Sequence, residues 1–279
     1  MTTAPSADAP ARTAPWRAST RVLAGALVCV AAPLLFALQG LPWGFVPLAV
    51  GVIAGLAADR KLGYDLAIIA TGLAPLAVFS LHADLSNTGV AKFSLALGAA
   101  VVLPFVILRY VRGERPRREP RASGWRWSGR QWAYLVGIVA LSYLVLPVYF
   151  TTSGAYLNWP TIATGDDIAR LFVGVNLVGV WNELFFIATV FMLLRRHFPL
   201  WAANAMQAAV FVSFLWELGY REWGPLLTIP FALLQGWIFA KTKSLPYVVT
   251  MHLLFDAVVF AALVHAYNPE AFDLFVTAP

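Results

Sequence analysis

The sequence predicts an all-α membrane protein, a polytopic bundle of about nine transmembrane helices. Three observations carry this. Of 279 residues, 60% are hydrophobic and only 12% charged, and the mean hydropathy is +0.71; a soluble domain carries roughly 25% charge. The apolar residues gather in runs long enough to cross a bilayer. The basic residues gather between those runs, which is the pattern of membrane topology.

In chain order, residues 1–21 are rich in Ala, Thr and Pro and read as a disordered cytoplasmic N-terminus. The run that follows has no small-residue cleavage site, so it reads as an uncleaved first span rather than a signal peptide. Hydropathy then gives nine spans: Val22–Gln39, Pro42–Ala58, Tyr64–His82, Ala91–Tyr110, Trp132–Thr151, Ile168–Leu194, Leu200–Gly219, Trp223–Ala240 and Pro246–Ala266. Gly and Pro interrupt several of them, as in tilted or re-entrant pieces. Residues 22–111 form a four-span N-terminal region, 112–131 a basic cytoplasmic loop, 132–267 a C-terminal helical core and 268–279 an extracytoplasmic tail.

Charge placement orients the bundle. With the N-terminus cytoplasmic, 17 of the 20 Lys and Arg residues fall on the inner side, and only Lys92, Arg170 and Arg221 fall outside. A missed span would scramble that alternation. The chain therefore reads as an integral protein of a bacterial plasma membrane, N-terminus in and C-terminus out, with Asp166 and Asp167 outside. The formal charge of +6 lies mostly in the Arg-rich loop from Arg109 to Arg130, beside Trp125, Trp127 and Trp132. That loop reads as a topology determinant with an aromatic anchor. An anionic-lipid patch is the sharper reading. Nucleic acid is excluded as a partner for want of any recognition fold; the lipid bilayer is the partner the composition names. The lone Cys29 sits in an apolar run and forms no intramolecular disulfide.

The first four spans are nearly featureless, and the polar residues lie in the second half. Span six has Asn176, Asn182 and Glu183; span seven Asn204, Gln207 and Glu217; span eight Gln235; span nine His252 and Asp256. A charge in hydrocarbon costs about 2.5–3.5 kcal/mol or more, so such residues face a bundle interior and pair with one another. Any single Asn or Gln reads first as glue between helices. Glu217 lies beside Tyr220, Arg221 and Glu222 and also reads as an interfacial acid. Asn176 and Glu183 are seven apart, and His252 and Asp256 four apart, so each pair shares a helix face.

Two of these segments carry a resemblance. Asn182-Glu183-Leu184-Phe185-Phe186-Ile187 and His252-Leu253-Leu254-Phe255-Asp256 resemble the first and third motifs of the CPBP intramembrane proteases, the CAAX-protease, bacteriocin-processing or Abi family. The family's first motif is commonly Glu-Glu-Leu-Phe-Phe-Arg, its second Phe-x-x-x-His and its third His-x-x-x-Asn or Asp. The likeness spans about Gly174 to Phe260. Asn182 stands where the family has its first Glu, and Ile187 where it has Arg. The second-motif stretch from Phe211 to Leu218 has no His; Glu217 or Leu218 stands there.

The resemblance implies peptide hydrolysis on membrane-associated proteins or peptides, such as prenylated C-termini or bacteriocin-type leaders. Catalysis would draw on Glu183, His252, Asp256, Asn182 and Glu217. Glu183 would act as base, His252 would polarise the scissile carbonyl with Asp256 orienting it, and Asn182 would donate a hydrogen bond. The sequence leaves the cofactor open. Glu183, Glu217, His252 and Asp256 are also enough ligands for a divalent ion, though they come from separate helices with no short motif to fix them. A catalytically inactive scaffold or accessory subunit of the same fold is the alternative. A small transporter is the weaker third reading, since the sequence shows no inverted repeat.

Overall fold

A computed structural model describes residues 15–79, 81–114, 127–270 and 274–277. Among the described residues the chain is helical nearly throughout, in nine rods. They are α1 (Pro15–Ala32), α2 (Leu41–Ala58), α3 (Arg60–Val78), α4 (Asn87–Val106), α5 (Gly129–Ser153), α6 (Gly165–Asn182) continued by the short α7 (Met192–Arg195), α8 (Leu200–Leu218), α9 (Pro225–Thr242) and α10 (Leu245–Tyr267). Three stretches are π-helical: Pro33–Ala37 after α1, Ile107–Val111 after α4, and Glu183–Phe191 between α6 and α7. The expected nine spans map onto the nine rods in order.

Six rods are long and apolar enough to cross a membrane, and Pro42–Ala58 is a shorter apolar helix. Helices α8 and α9 fall below that apolarity. The reason is visible in their burial: Asn204, Gln207, Ser213 and Glu217 on α8, and Thr228 and Gln235 on α9, are polar residues turned inward.

The N-terminal boundary is a correction. The helix begins at Pro15, so residues 15–21 are ordered helix rather than disordered tail. Proline is well placed in a first turn, where its missing N–H is not needed, and Thr20 Oγ1 bonds back to the Trp16 carbonyl at 2.7 Å. The rest of the expected disordered segment, the Arg-rich middle of the central loop with Trp125, and part of the C-terminal tail lie outside the described residues.

Local rules set the helix starts that position the core. Ser128 and Gln131 form a capping box that opens α5, and Thr164 and Asp167 form another that opens α6. Gly154, at φ 72°, ends α5 in a left-handed conformation that favours glycine. Helices α1 to α4 pack in sequence, α10 packs between α5 and α6, and α8 packs on α9 and on α1. The four-span region is thus joined to the core. It also reaches the central π-helical stretch, because Phe185 lies where a side chain on Gly72 would have to go.

A buried ionic group ties several helix ends together at one end of the bundle. Asp65 of α3, 2% exposed, pairs with Arg112, with Arg196 at 3.4 Å and with His197 Nε2 at 2.9 Å. Glu114 bridges the same two arginines, at 2.7 Å to Arg196 and 3.1 Å to Arg112. Asp65 was not singled out in the sequence, because it stands beside Arg60 and Lys61 and passes for an interfacial residue.

Candidate active site

The site forms where α6 gives way to the π-helical stretch. Glu183 is the first residue of that stretch and is 1% exposed. A π-helical segment widens the winding and is often found at functional positions. Thr189 Oγ1, bonded to the Leu184 carbonyl five residues back at 3.0 Å, stabilises it. On the facing helix, His252 Nδ1 lies 2.7 Å from Glu183 Oε1. From α9, Gln235 Nε2 donates to the same oxygen at 2.9 Å. Three helices thus converge on one carboxylate.

The other imidazole nitrogen faces Asn182 and Asp256. Asn182 Nδ2 is 3.4 Å from His252 Nε2, and Asp256 Oδ1 is 3.8 Å from it. The expectation that Asp256 orients the ring is corrected in part: Glu183 takes the short hydrogen bond, and Asp256 stands at ion-pair range. The ring is held sterically as well. Phe231 and Phe211 meet it nearly edge-on, with centroids 5.2 and 6.1 Å away. Gly179 lets α6 approach α10, since a Cβ there would strike the Asp256 carboxylate.

Four buried acceptors around this cluster have no protein donor: Asn182 Oδ1, Glu183 Oε2, Gln235 Oε1 and Asp256 Oδ2. Buried polar atoms are normally satisfied, so this concentration marks a place where donors come from a water or a ligand. Asn182, His252 and Asp256 line a cavity of about 480 Å³ whose other walls are mostly apolar. Asp84, Ser94 and Arg170 also line it. The Ser86 backbone amide and then its hydroxyl hold the Asp84 carboxyl below its usual range.

Not every residue singled out in the sequence arrives here. Glu217 sits in the last turn of α8, where Oε1 accepts from the Leu81 amide at 3.0 Å, and no contact joins it to the Glu183–His252 pair. Leu215 and Leu218 of the same helix turn line the cavity instead. Without Glu217 the four-ligand metal set is incomplete, and among the described residues no three His, Cys, Asp or Glu side chains are grouped to hold a metal ion. Asn204 and Gln207 bond to the Leu233 and Ala232 carbonyls and so act as glue between α8 and α9. Asn176 bonds to its own helix, at the Phe172 carbonyl. Gln235, which reads from sequence as ordinary glue, proves to be a direct partner of Glu183. Its position as the one polar residue midway along α9 was the available signal.

Comparison with known proteins agrees with the motifs. Residues 164–258 match the Rce1-like family, described as type II CAAX prenyl endopeptidase Rce1-like. The match runs from the start of α6 into α10 and contains Asn182, Glu183, His252 and Asp256. The match covers about a third of the chain and bears out the resemblance to the CPBP and CAAX proteases in this segment. No curated protein and no solved structure matches the chain.

Proposed function

We propose, on the premise that the core is of the CAAX-protease type, that this protein is an intramembrane endopeptidase acting on membrane-associated protein or peptide substrates. One observation carries the reading: the 2.7 Å Glu183–His252 bond behind a cavity that His252 and Asn182 line, with Glu183 Oε2 left unpartnered. In this reading Glu183 Oε2 takes a proton from water while the water oxygen attacks the scissile carbonyl carbon. Glu183 Oε1 stays fixed by His252 and Gln235, which holds the carboxylate in place. The oxyanion that forms takes hydrogen bonds from Asn182 Nδ2 and from Nε2–H of a protonated His252. The 3.4 Å contact between those two nitrogens is long for a hydrogen bond, so each donor is free to turn to the oxyanion. Glu183 then returns the proton to the departing amine. Asp256, beside Nε2, supports the positive ring and offers Oδ2 to a substrate N–H.

The family description points to prenylated C-terminal peptides as the substrate class, and bacteriocin-type leaders fit the same chemistry. The N-terminus is placed in the cytoplasm and the end that holds Asp84 and Arg170 outside, on the 17-to-3 split of basic residues.

A second reading is favoured by the missing second-motif histidine, whose stretch carries Leu215 and Leu218 toward the cavity. In it, His252 and Gln235 merely satisfy a structural Glu183, and the protein is a scaffold. Glu183→Gln separates the two. A peptidase loses turnover by about 10²–10⁴ on loss of its base while still folding. A scaffold keeps its cellular phenotype, and that result would overturn the catalytic assignment.

A further inference from the structure

Tyr220, the second residue after α8, is 5% exposed and lines the same cavity as Asn182, His252 and Asp256. The chain around it is pinned. Gly219, at φ 134°, turns the backbone out of α8, and the Gly219 and Tyr220 amides both fall back on the Leu215 carbonyl, at 3.1 and 2.9 Å. The Gly219 carbonyl accepts from Asn158 Nδ2 at 3.3 Å, and the Arg221 carbonyl accepts from the Tyr149 hydroxyl at 2.7 Å. The residues on both sides of Tyr220 are thus tied by side chains from other segments. Its ring stands edge-on to Trp159, with centroids 5.6 Å apart, and tilted to Phe150 at 6.0 Å.

Packing of this kind needs only a ring, which phenylalanine would supply. A buried tyrosine hydroxyl normally finds a partner. Among the described residues the Tyr220 hydroxyl makes no hydrogen bond; burial first, then the Asp256 carboxylate and Tyr149, hold the phenol well above its usual range. It therefore keeps its proton and is a standing O–H donor. Its neighbours on the cavity wall do not duplicate it. Trp181 Nε1 is taken by the Leu97 carbonyl, and Leu215 and Leu218 offer no donor.

The surroundings narrow what this hydroxyl can bind. An anion would meet the charge of Asp256, which acts on the same phenol. The walls are mostly apolar, so the fitting acceptor is a neutral carbonyl, and the peptide group carries a strong one. Asp256 stands one turn beyond His252 on α10, about 6 Å at about 1.5 Å per residue. An extended chain covers that in about two residues, at about 3.3 Å each.

We propose that Tyr220 is a further substrate-binding residue, whose hydroxyl donates to a main-chain carbonyl about two residues from the bond that is cut. The cut rests on the peptidase reading; the carbonyl subsite rests on the phenol and its surroundings.

The subsite is testable without turnover. Replacing Tyr220 alone by 3-fluorotyrosine, in the full chain in detergent, keeps the ring and reports on the hydroxyl by fluorine NMR. N,N-dimethylacetamide, a neutral carbonyl with no N–H, should move that resonance saturably, and acetate and 2-methylbutane should not. No saturable shift with the amide, an equal shift with 2-methylbutane, or a larger one with acetate overturns the proposal.

Turnover then places the bond. On a membrane-tethered peptide, Tyr220→Phe should raise KM about 2- to 12-fold, the loss of one neutral hydrogen bond, with kcat and melting temperature unchanged. A fall in kcat at constant KM would put the phenol on the oxyanion and overturn the assignment. Exchanging the substrate carbonyl at that position for a thiocarbonyl, a weaker acceptor, should cost wild type the same factor and Tyr220→Phe nothing. Equal losses in both would mean that Tyr220 only packs. If wild type cleaves no tethered peptide while the fluorotyrosine shift holds, the peptidase reading fails and the carbonyl subsite stands.

Discussion

Asp256 of α10 rests against Gly179 of α6, with its Oδ2 in the space that any side chain at 179 would fill. The pair sets how closely the two helices meet, and so fixes where His252 stands relative to Glu183. Gly179→Ala should push Asp256 and α10 outward. Overpacking of a tight core costs about 1–3 kcal/mol. Thermal unfolding in detergent should show that loss, together with reduced turnover. An alanine variant with unchanged melting and activity would mean the helices have slack here.

Gln235 donates to the carboxylate oxygen that also takes the His252 bond. Gln235→Leu should leave the bundle folded but let Glu183 rotate, so kcat should fall with little change in KM. A hydrogen bond to a charged group contributes about 1.5–3 kcal/mol, which corresponds to roughly 10- to 150-fold in rate if all of it is lost at the transition state. Gln235→Glu should be worse than Gln235→Leu, because it sets a second acid against Glu183. Equal rates for wild type and both variants would show that Gln235 is only packing.

Asn182 lines the cavity beside Glu183, where the family carries its first Glu. Asn182→Glu should lower cleavage of a membrane-tethered peptide, because it removes the Nδ2 donor to the oxyanion and sets a second carboxylate beside Glu183. Adding Ile187→Arg should lower the folded yield instead of helping, since Ile187 is 2% exposed among apolar neighbours and an arginine there buries an unpaired charge. A double variant that folds and outperforms the single one would contradict this.

Asp65, near the start of α3, gathers Arg112, Arg196 and His197, which follow α4 and α7. Asp65→Asn should leave Arg112, Arg196 and His197 without their shared buried carboxylate. The expected destabilisation is about 2 kcal/mol, as for lost hydrogen bonds between charged groups. Activity per folded molecule should be retained, because the cluster is separate from Glu183. A drop in kcat at unchanged melting temperature would instead show that it positions the site.

Much of the architecture was legible because insertion into a bilayer imposes long apolar runs, and each run became a rod. The pairing of Glu183 with His252 was legible for a related reason: a lone charge in hydrocarbon needs a partner, and few were on offer. Glu217 met the same test yet found its partner in the Leu81 amide, because burial demands a donor without saying which. Gln235 stayed hidden since an amide suits structural and catalytic roles equally. The first helix starts seven residues ahead of its apolar run, at Pro15, whose missing N–H suits a first turn, in a stretch that hydropathy passes over.

The π-helical stretch from Glu183 to Phe191 changes how this segment can be compared with others. Positions before and after it are out of phase with a continuous α-helix, so a spacing of four or seven that crosses Glu183 no longer means a common face. The phase offset is carried on to Arg196, which reaches Asp65 only with that winding in place. Losing one residue from the stretch would therefore act as a rotation, swinging the far end of the rod around its axis, whereas losing one from an exposed loop would merely shorten a connection.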